Sequence, residues 1–518
     1  MSLALPAGGR PTWIRAGRFA ASGWGWDALS LGGLVLFAWA ILIWRFDAMP
    51  LQLWDESRNA NNALEVALGG HWLAPTFGGL PDHWNTKPPL LIWLMAMGFK
   101  LGLPPLVAIR LPSWIAAFGV LGMLWGTLRL GLKDRTAAIL AGALLLGSLS
   151  YVAPHAARTG DFDALESLFV TGYVLCGWAA LEGERRRVSW LAATAGFAVL
   201  AVMTKGVAGL LAAPGLAVLA LFRWKALVAV LKDGRAWLLA IGAVSLCAGY
   251  YLVREHFDPG YIRVVLANEI GGRFTTVSDN HRGGPDFYFN VLEVGFEPGL
   301  ALLATVVATF FGRDPRRRSL ALGCLLSGLS LLLVLSAAKS KLDWYATPMI
   351  PLFSVAAAVG TADLLAWIGR RSPPWGRDAA RVVVGAVLAA TLGFALVASQ
   401  TARTSTHGDL DGPQFDYARL FARIEAARPA RSIIAVDDGF YNDAGFRAYN
   451  PILKFYALRE ASRGLKVDVR GSDADLPDGS DVATCDPAAL GELKEDYSLT
   501  PRLREGACTL VHVNGPVG

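Results

Sequence analysis

Residues 88–102 read Pro88-Pro89-Leu90-Leu91-Ile92-Trp93-Leu94-Met95-Ala96-Met97-Gly98-Phe99-Lys100-Leu101-Gly102, and the topology turns on whether this run crosses a membrane. A crossing helix takes about 20 predominantly apolar residues, so the run is short for one. Counted as a span, it inverts every later loop and puts Arg185, Arg186 and Arg187 outside, against the bias of Lys and Arg towards the cytoplasmic side. It is therefore read as a helix lying in the outer interface. Outward from it, apolar runs suitable for crossing fall at 27–46, 107–128, 136–154, 164–181, 188–203, 207–222, 236–253, 290–311, 319–337, 346–368 and 382–400, about eleven in all. With the N-terminus inside, alternation places five basic loops on one face: Arg129–Arg135, Glu182–Val188, Arg223–Arg235, Arg313–Arg318 and Arg370–Arg381. The opposite face holds 47–106, 155–163, 204–206, 254–289, 338–345 and 401–518.

Composition agrees. The 518 residues are 54% hydrophobic and only 17% charged, with 18 Trp and 56 Gly, whereas soluble domains carry about 25% charged residues. Five Cys exclude a disulfide scaffold. Residues 1–400 hold 34 Lys+Arg against 24 Asp+Glu, and residues 401–518 hold 14 against 18. The basic excess belongs to the membrane part and calls for no nucleic acid. The expected organisation is a cytoplasmic tail (1–26), a polytopic all-α membrane domain (27–400, first outer loop 47–106) and a small outer α/β domain (401–518). In that last domain, strands are expected at Ile433–Val436, Lys466–Val469, Val482–Thr484 and Thr509–Val513, and helices at Pro451–Arg463 and Pro487–Glu495. Cys485 and Cys508 flank neighbouring strand segments in an oxidising compartment and are expected to lie within disulfide reach.

Ionisable residues near membrane-embedded segments are costly and point to function. Here they gather on the outer side. Trp54-Asp55-Glu56-Ser57-Arg58 follows the first span; a helix starting near Asp55 would suit its acids to the dipole, which is also the plain reading of an N-capped interfacial helix. Lys87 precedes two prolines, a cation on a stiff loop or a snorkelling anchor. Arg158-Thr159-Gly160-Asp161-Phe162-Asp163 places two acids and an arginine at one boundary. Lys205 stands between two spans. The 254–289 loop supplies Arg273, His281 and Arg282, and Lys341 and Tyr345 lead into the next span. A carboxylate and several fixed cations suit the transfer of a sugar from a lipid phosphate: the acid deprotonates a hydroxyl and the cations stabilise the departing phosphate.

At these residues the chain resembles the GT-C fold membrane glycosyltransferases, in particular the bacterial aminoarabinose transferase and protein O-mannosyltransferase relatives. The matching stretches are Trp54–Arg58, Gly69-Gly70-His71-Trp72, Asn85-Thr86-Lys87-Pro88-Pro89-Leu90, Arg110-Leu111-Pro112-Ser113, Arg158–Asp163, Thr204-Lys205-Gly206 and Lys341 through Tyr345 to Pro351. The resemblance implies an inverting hexosyl or pentosyl transferase. Its donor would be an undecaprenyl-phosphate sugar, its acceptor a lipid such as lipid A, a cell-envelope glycan or a protein. It implies a multi-pass protein of the bacterial inner membrane, embedded among membrane lipids, with its site in the periplasm. Asp55 is the implied base, with Asp163, Asp161 and Glu56 as further carboxylates. Lys87 and Arg58 lie near the lipid phosphate, and Lys205, Arg158, Arg273, His281, Arg282, Lys341 and Tyr345 line the cavity. No cofactor is required, and a divalent metal stays open. In the aminoarabinose transferases an acid that can share a metal with a histidine like His281 stands where this chain has Thr86, so a zinc site of that kind is not carried over. The competing readings are a flippase of lipid-linked sugars, which would place charges near the midplane and show two related halves, and a surface-polysaccharide polymerase or ligase.

Overall fold

The computed structural model describes residues 13–53, 55–272, 282–312, 314–404, 407–408, 412–413, 417–427, 432–437, 450–471 and 475–517. Among them, eight helices are long and apolar enough to cross a membrane: Gly25–Ala48, Pro105–Gly131, Phe162–Glu182, Arg187–Leu210, Gly234–Phe257, Pro315–Ala337, Met349–Arg371 and Pro374–Thr401. Two further candidates are broken, Ala213–Phe222 turning by 107° into Trp224–Leu231 and Phe287–Gly295 turning by 104° into Glu297–Phe310. The run expected at 136–154 is the shorter helix Arg135–Gly147. The eleven expected spans thus become eight long helices, two bent pairs and one short helix buried among the others. The run 88–102 forms the 11-residue helix Leu90–Lys100, too short to cross. The first helix begins at Trp13, so the second half of the expected tail is helical and continuous with the first span.

The helices start where side chains satisfy their free N–H groups. Asp134 accepts from Ala137 N, and Asp314 from Arg316 N with Pro315 in the first turn. On the side assigned to the inside, Arg129 and Arg135 converge on Asp27, and Arg317 bridges Asp134 at 2.5 Å and Asp363 at 2.7 Å. Apolar side chains without protein neighbours cover the lipid-facing sides: Leu238, Ile241 and Val244 of helix Gly234–Phe257 are 70%, 60% and 68% exposed. The core beneath is dense in small residues; Ala356, Ala357 and Ala358 of helix Met349–Arg371 are fully enclosed, which lets helices approach closely without any hydrophobic force between them in lipid.

The C-terminal domain holds a five-stranded sheet in the order Lys466–Arg470, Ser432–Val436, Asp481–Thr484, Cys508–Pro516, Tyr497–Glu505. The first three strands run parallel and the last two pair antiparallel. Cys485 and Cys508 form a disulfide with Cα atoms 3.8 Å apart. Helix Pro451–Ala461 docks the domain on the first outer loop: Asn61 Nδ2 donates to Pro451 O at 2.7 Å, and the Phe99 and Phe455 rings meet at 5.9 Å.

Candidate active site

Helix Asp55–Ala67 organises the outer face. Its first turn carries Asp55 and Glu56, where the free N–H groups favour negative charge. Trp54 lies outside the described residues. Glu56, expected among the catalytic carboxylates, is instead sealed into the scaffold at 1% exposure. Its oxygens accept from Gln52 N at 2.8 Å, Arg110 Nε at 2.8 Å, Arg110 Nη2 at 3.0 Å and Gly160 N at 2.8 Å. With four donors fixed on it and no access to solvent, it cannot serve an incoming hydroxyl. Gly160 is obligatory here, since a Cβ would collide with Ile109.

Asp55 remains partly open, its side chain 22% exposed. His155 Nδ1 lies 3.6 Å from Asp55 Oδ2 and 2.8 Å from Asp161 Oδ2, and its ring stacks on Trp344 at 4.0 Å. Burial disfavours an imidazolium. The Asp161 hydrogen bond and the charges of Asp161, Asp55 and Asp163 outweigh it and push the His155 pKa up to about 9. Asp55, His155 and Asp161 also present ligand atoms all within 4.8 Å of one another, close enough to share a divalent cation.

One helical turn deeper, Lys205 bridges Asp163 at 2.6 Å and Glu166 at 2.9 Å and sits 4.5 Å from the centre of the Tyr345 ring. Lys205 is held there by Gly206, whose φ of 62° and ψ of −138° end the helix behind it in a conformation open to glycine. Glu166 was missed in the sequence. The signal was an acid one turn beyond Asp163 inside an apolar helix, a costly placement.

The two residues expected near a lipid phosphate sit on different elements, Arg58 on helix Asp55–Ala67 and Lys87 at the end of the loop 76–88. Arg58 grips Asp82 at two points, Nε to Oδ2 at 2.8 Å and Nη2 to Oδ1 at 2.7 Å. Asn62 joins Asp82 at 2.9 Å, and Asn85 donates to both Asn59 and Asn62 at 3.0 and 2.9 Å. Burial works against charge on Asp82, but the Arg58 guanidinium holds its carboxyl below the usual value. Lys87 is different. Its Nζ lies 5.0 Å from the Phe162 ring and 6.0 Å from the Trp84 ring, and it has no ion-pair partner among the described residues.

Other expected residues lie elsewhere. Arg158, expected in the cavity, is 4% exposed and staples two spans, donating to Ile41 O, Ser399 O and the Ser399 hydroxyl. Lys341 turns back on the end of the preceding helix, Pro315–Ala337, donating to Ser336 O at 2.8 Å and to Ala338 O. Arg282 and Lys341 line an open cavity of about 490 Å³ with Lys339. Arg273 and His281 lie outside the described residues. Thr86 donates its hydroxyl to Glu269 at 2.7 Å.

Residues 86–252 match the family described as dolichyl-phosphate-mannose-protein mannosyltransferase. The undecaprenyl phosphate-alpha-4-amino-4-deoxy-L-arabinose arabinosyl transferase of Pseudomonas savastanoi pv. phaseolicola is 28% identical over 318 residues, covering 58% of this chain and 56% of that protein. A Pseudomonas fluorescens protein of the same description is 27% identical over 355 residues, covering 66% and 59%. The chain thus spans less than two thirds of the length of these curated relatives. Among solved structures, ArnT from Cupriavidus metallidurans bound to undecaprenyl phosphate superposes with a TM-score of 0.65 at 17% identity, covering 94% of this chain and 98% of that one. The Archaeoglobus fulgidus oligosaccharyltransferase gives 0.53 at 11% identity, covering 80% and 62%. The chain has the GT-C fold of these structures, with helices long and apolar enough for a multi-pass membrane protein, and its sequence is similar to the bacterial aminoarabinose transferases.

Proposed function

We propose that this protein is an inverting glycosyltransferase that moves a sugar from undecaprenyl phosphate to a hydroxyl-bearing acceptor on the periplasmic face of the inner membrane. The observation that carries the reading is the Lys87 ammonium, which has no ion-pair partner among the described residues and is set against Phe162, the residue between Asp161 and Asp163. Such a cation fits a ligand that brings its own phosphate. The matches to undecaprenyl-phosphate arabinosyl transferases support the same donor chemistry.

In this reading Asp55 takes the proton from the acceptor hydroxyl, whose oxygen attacks the anomeric carbon from the face opposite the phosphate. The bond from that carbon to the phosphate oxygen breaks, and the lipid phosphate leaves with both bonding electrons. Lys87, with Arg58 oriented by Asp82, stabilises the charge it gains. The Lys205–Asp163–Glu166 group keeps a fixed charge arrangement beneath the reacting centre. A divalent ion held by Asp55, His155 and Asp161 would add a Lewis acid at this place; the steps above do not use one.

The test is binding of undecaprenyl phosphate to the purified full-length protein and to Lys87→Ala. The expected result is binding by the wild type and a loss of at least about tenfold in the variant, the scale of one lost charge-assisted contact. Equal affinity in the two proteins would return Lys87 to the role of an interfacial anchor.

A further inference from the structure

Above the outer end of helix Pro315–Ala337 lies a cavity of about 490 Å³ that the proposed reaction does not use. One wall is the turn Gly283-Gly284-Pro285, and the other is the end of the helix from Ser336 to Lys339. An antiparallel bridge between Arg282 and Ser340 joins the two walls. Gly283 leaves the room that Lys341 occupies, since a Cβ there would lie 2.8 Å from Lys341 Cδ. No described residue of the loop 76–88, which ends at Lys87, lines this cavity.

Charge in the cavity is one-sided. Arg282, Lys339 and Lys341 line it, and among the described residues no acid does. Lys341 is occupied: its ammonium donates to Ser336 O and Ala338 O and so offsets the negative end of the helix dipole. Arg282 and Lys339 are exposed and have no ion-pair partner among the described residues. Asp286 and Asp343 flank the two walls in sequence without lining the cavity; counted in full, they still leave three cations against two carboxylates. Asp286 is further engaged by Asn290 Nδ2 at 3.2 Å. Below the cavity the surface is apolar. Leu329, Leu333 and Ala337 recur every four residues on one face of the helix and are exposed, Leu333 at 69%. Leu331, Leu332 and Leu335 of the same helix are buried. The exposed stripe therefore faces lipid, and it ends in the cavity wall at Ala337.

We infer that this cavity binds the phosphate of an anionic glycerophospholipid of the outer leaflet, with an acyl chain lying along Leu333 and Leu329. The occupant is neither sugar donor nor acceptor but a lipid of the surrounding bilayer. A cation pair at the top of a lipid-facing stripe stands where lipid headgroups lie, and basic pockets between spans suit anionic headgroups. Arg282 and Lys339 supply charge-assisted donors for the phosphodiester oxygens. A zwitterionic headgroup brings its own cation, which these two side chains repel; a net negative headgroup does not. Beyond Ser340 the chain runs into Trp344, stacked on His155 at 4.0 Å, and Tyr345, whose ring centre is 4.5 Å from Lys205 Nζ. The bound lipid thus sits on the segment that supports the proposed active site.

The experiment measures lipid retention by the full-length protein, released from nanodiscs of mixed phosphatidylglycerol and phosphatidylcholine and weighed by native mass spectrometry. Wild type is expected to keep phosphatidylglycerol in preference to phosphatidylcholine. Arg282→Gln/Lys339→Gln should lower its affinity for phosphatidylglycerol by on the order of tenfold, with no change for undecaprenyl phosphate. Both side chains are exposed and unpaired, so the fold should survive, and an unchanged thermal midpoint checks this. Lys339→Arg should retain the lipid. Leu333→Asn, which leaves both cations in place, should weaken retention by spoiling the chain contact. Added inorganic phosphate should not displace the lipid. Equal retention of the two phospholipids by wild type, or unchanged retention in Arg282→Gln/Lys339→Gln, would overturn the site. Displacement by inorganic phosphate would make it a site for a free anion, and a parallel loss of undecaprenyl phosphate would give the cavity to the carrier; either result also overturns the proposal.

Discussion

Arg110 and Glu56, 54 positions apart in sequence, meet in a buried two-point ion pair, Nε to Oε1 at 2.8 Å and Nη2 to Oε2 at 3.0 Å. Arg110 also donates to the carbonyls of Phe46, Met49 and Pro50 at 2.7, 3.0 and 2.9 Å. One guanidinium therefore fixes both the chain leaving the first span and the first turn of the helix that presents Asp55. The position of the proposed base is set by a residue that never meets substrate.

Removing Arg110 strands a carboxylate in a dry site. Breaking a buried pair from one side costs about 3–5 kcal/mol, so Arg110→Leu should lower the thermal midpoint strongly. The double variant Arg110→Leu/Glu56→Gln should recover part of the loss, because no charge is then left unpaired. Thermal unfolding in detergent reads both; a single variant as stable as wild type would contradict the scaffold role given to Glu56.

The Lys205–Asp163–Glu166 group should behave as a coupled unit. Lys205→Met leaves two acids facing each other and should be more damaging to stability than Lys205→Met combined with Glu166→Gln. Residues in one ion-pair network show coupling of about 0.5–3 kcal/mol. Strict additivity of the Lys205 and Glu166 effects would show that the contact at 2.9 Å is energetically idle.

The Arg58–Asp82 clamp has a defined acid limit. Asp82 has its carboxyl lowered from the ordinary 3.8 in the folded protein. A lowered folded value means its stabilising contribution is complete above the unfolded value and is lost only as pH falls through the folded one. Protease protection of the loop 76–88 should therefore be flat from neutral pH down to that ordinary value and fall below it. Asp82→Asn should lose the protection at every pH. A transition near neutral pH would contradict the clamp.

Much of this was legible because charge is conspicuous in an apolar chain. Asp55, Lys87, Asp163, Lys205 and Tyr345 were selected from separate outer segments, and the structure brings Lys87 against Phe162 and Lys205 against Asp163 and Tyr345. The same rule misplaced Glu56, Arg158 and Lys341. An ionisable residue at a span boundary looks alike whether it faces a ligand, a partner such as Arg110, or a carbonyl such as Ser399 O. For Glu56 and Arg158 those partners lie far away in sequence, whereas Lys341 turns onto carbonyls only three and five residues back. The outer strand Tyr497–Glu505 was missed because Pro501 interrupts it; proline is tolerated there because it is an edge strand. Helix Tyr417–Ala427 was also missed. The break at Phe296 falls inside the run 290–311, which reads as one span, since hydropathy carries no information about a bend of 104°; the 107° bend at Arg223 falls at the end of the run 207–222, and helix Trp224–Leu231 occupies a stretch expected to be a basic inside loop.

Sidedness follows from the basic loops. A reporter active only in the periplasm, fused at Gly183, should be silent, and fused at Gly408 should be active. The reverse pattern would place Asp55, Asp163 and the soluble domain in the cytoplasm and remove the basis for a periplasmic site.

The central claim is that the protein breaks the bond between a sugar and a lipid phosphate, with Asp55 as base. Proteoliposomes holding purified wild type or Asp55→Asn are supplied with undecaprenyl-phosphate sugars labelled in the sugar, together with envelope lipids and glycans as acceptors. The account predicts that the wild type moves label onto an acceptor with inversion at the anomeric carbon and frees undecaprenyl phosphate. Asp55→Asn, still folded and inserted, should be slower by about 10²–10⁴-fold, the usual worth of a general base. Labelled lipid that crosses the bilayer with its sugar–phosphate bond intact, or an Asn variant that turns over like wild type, would contradict it.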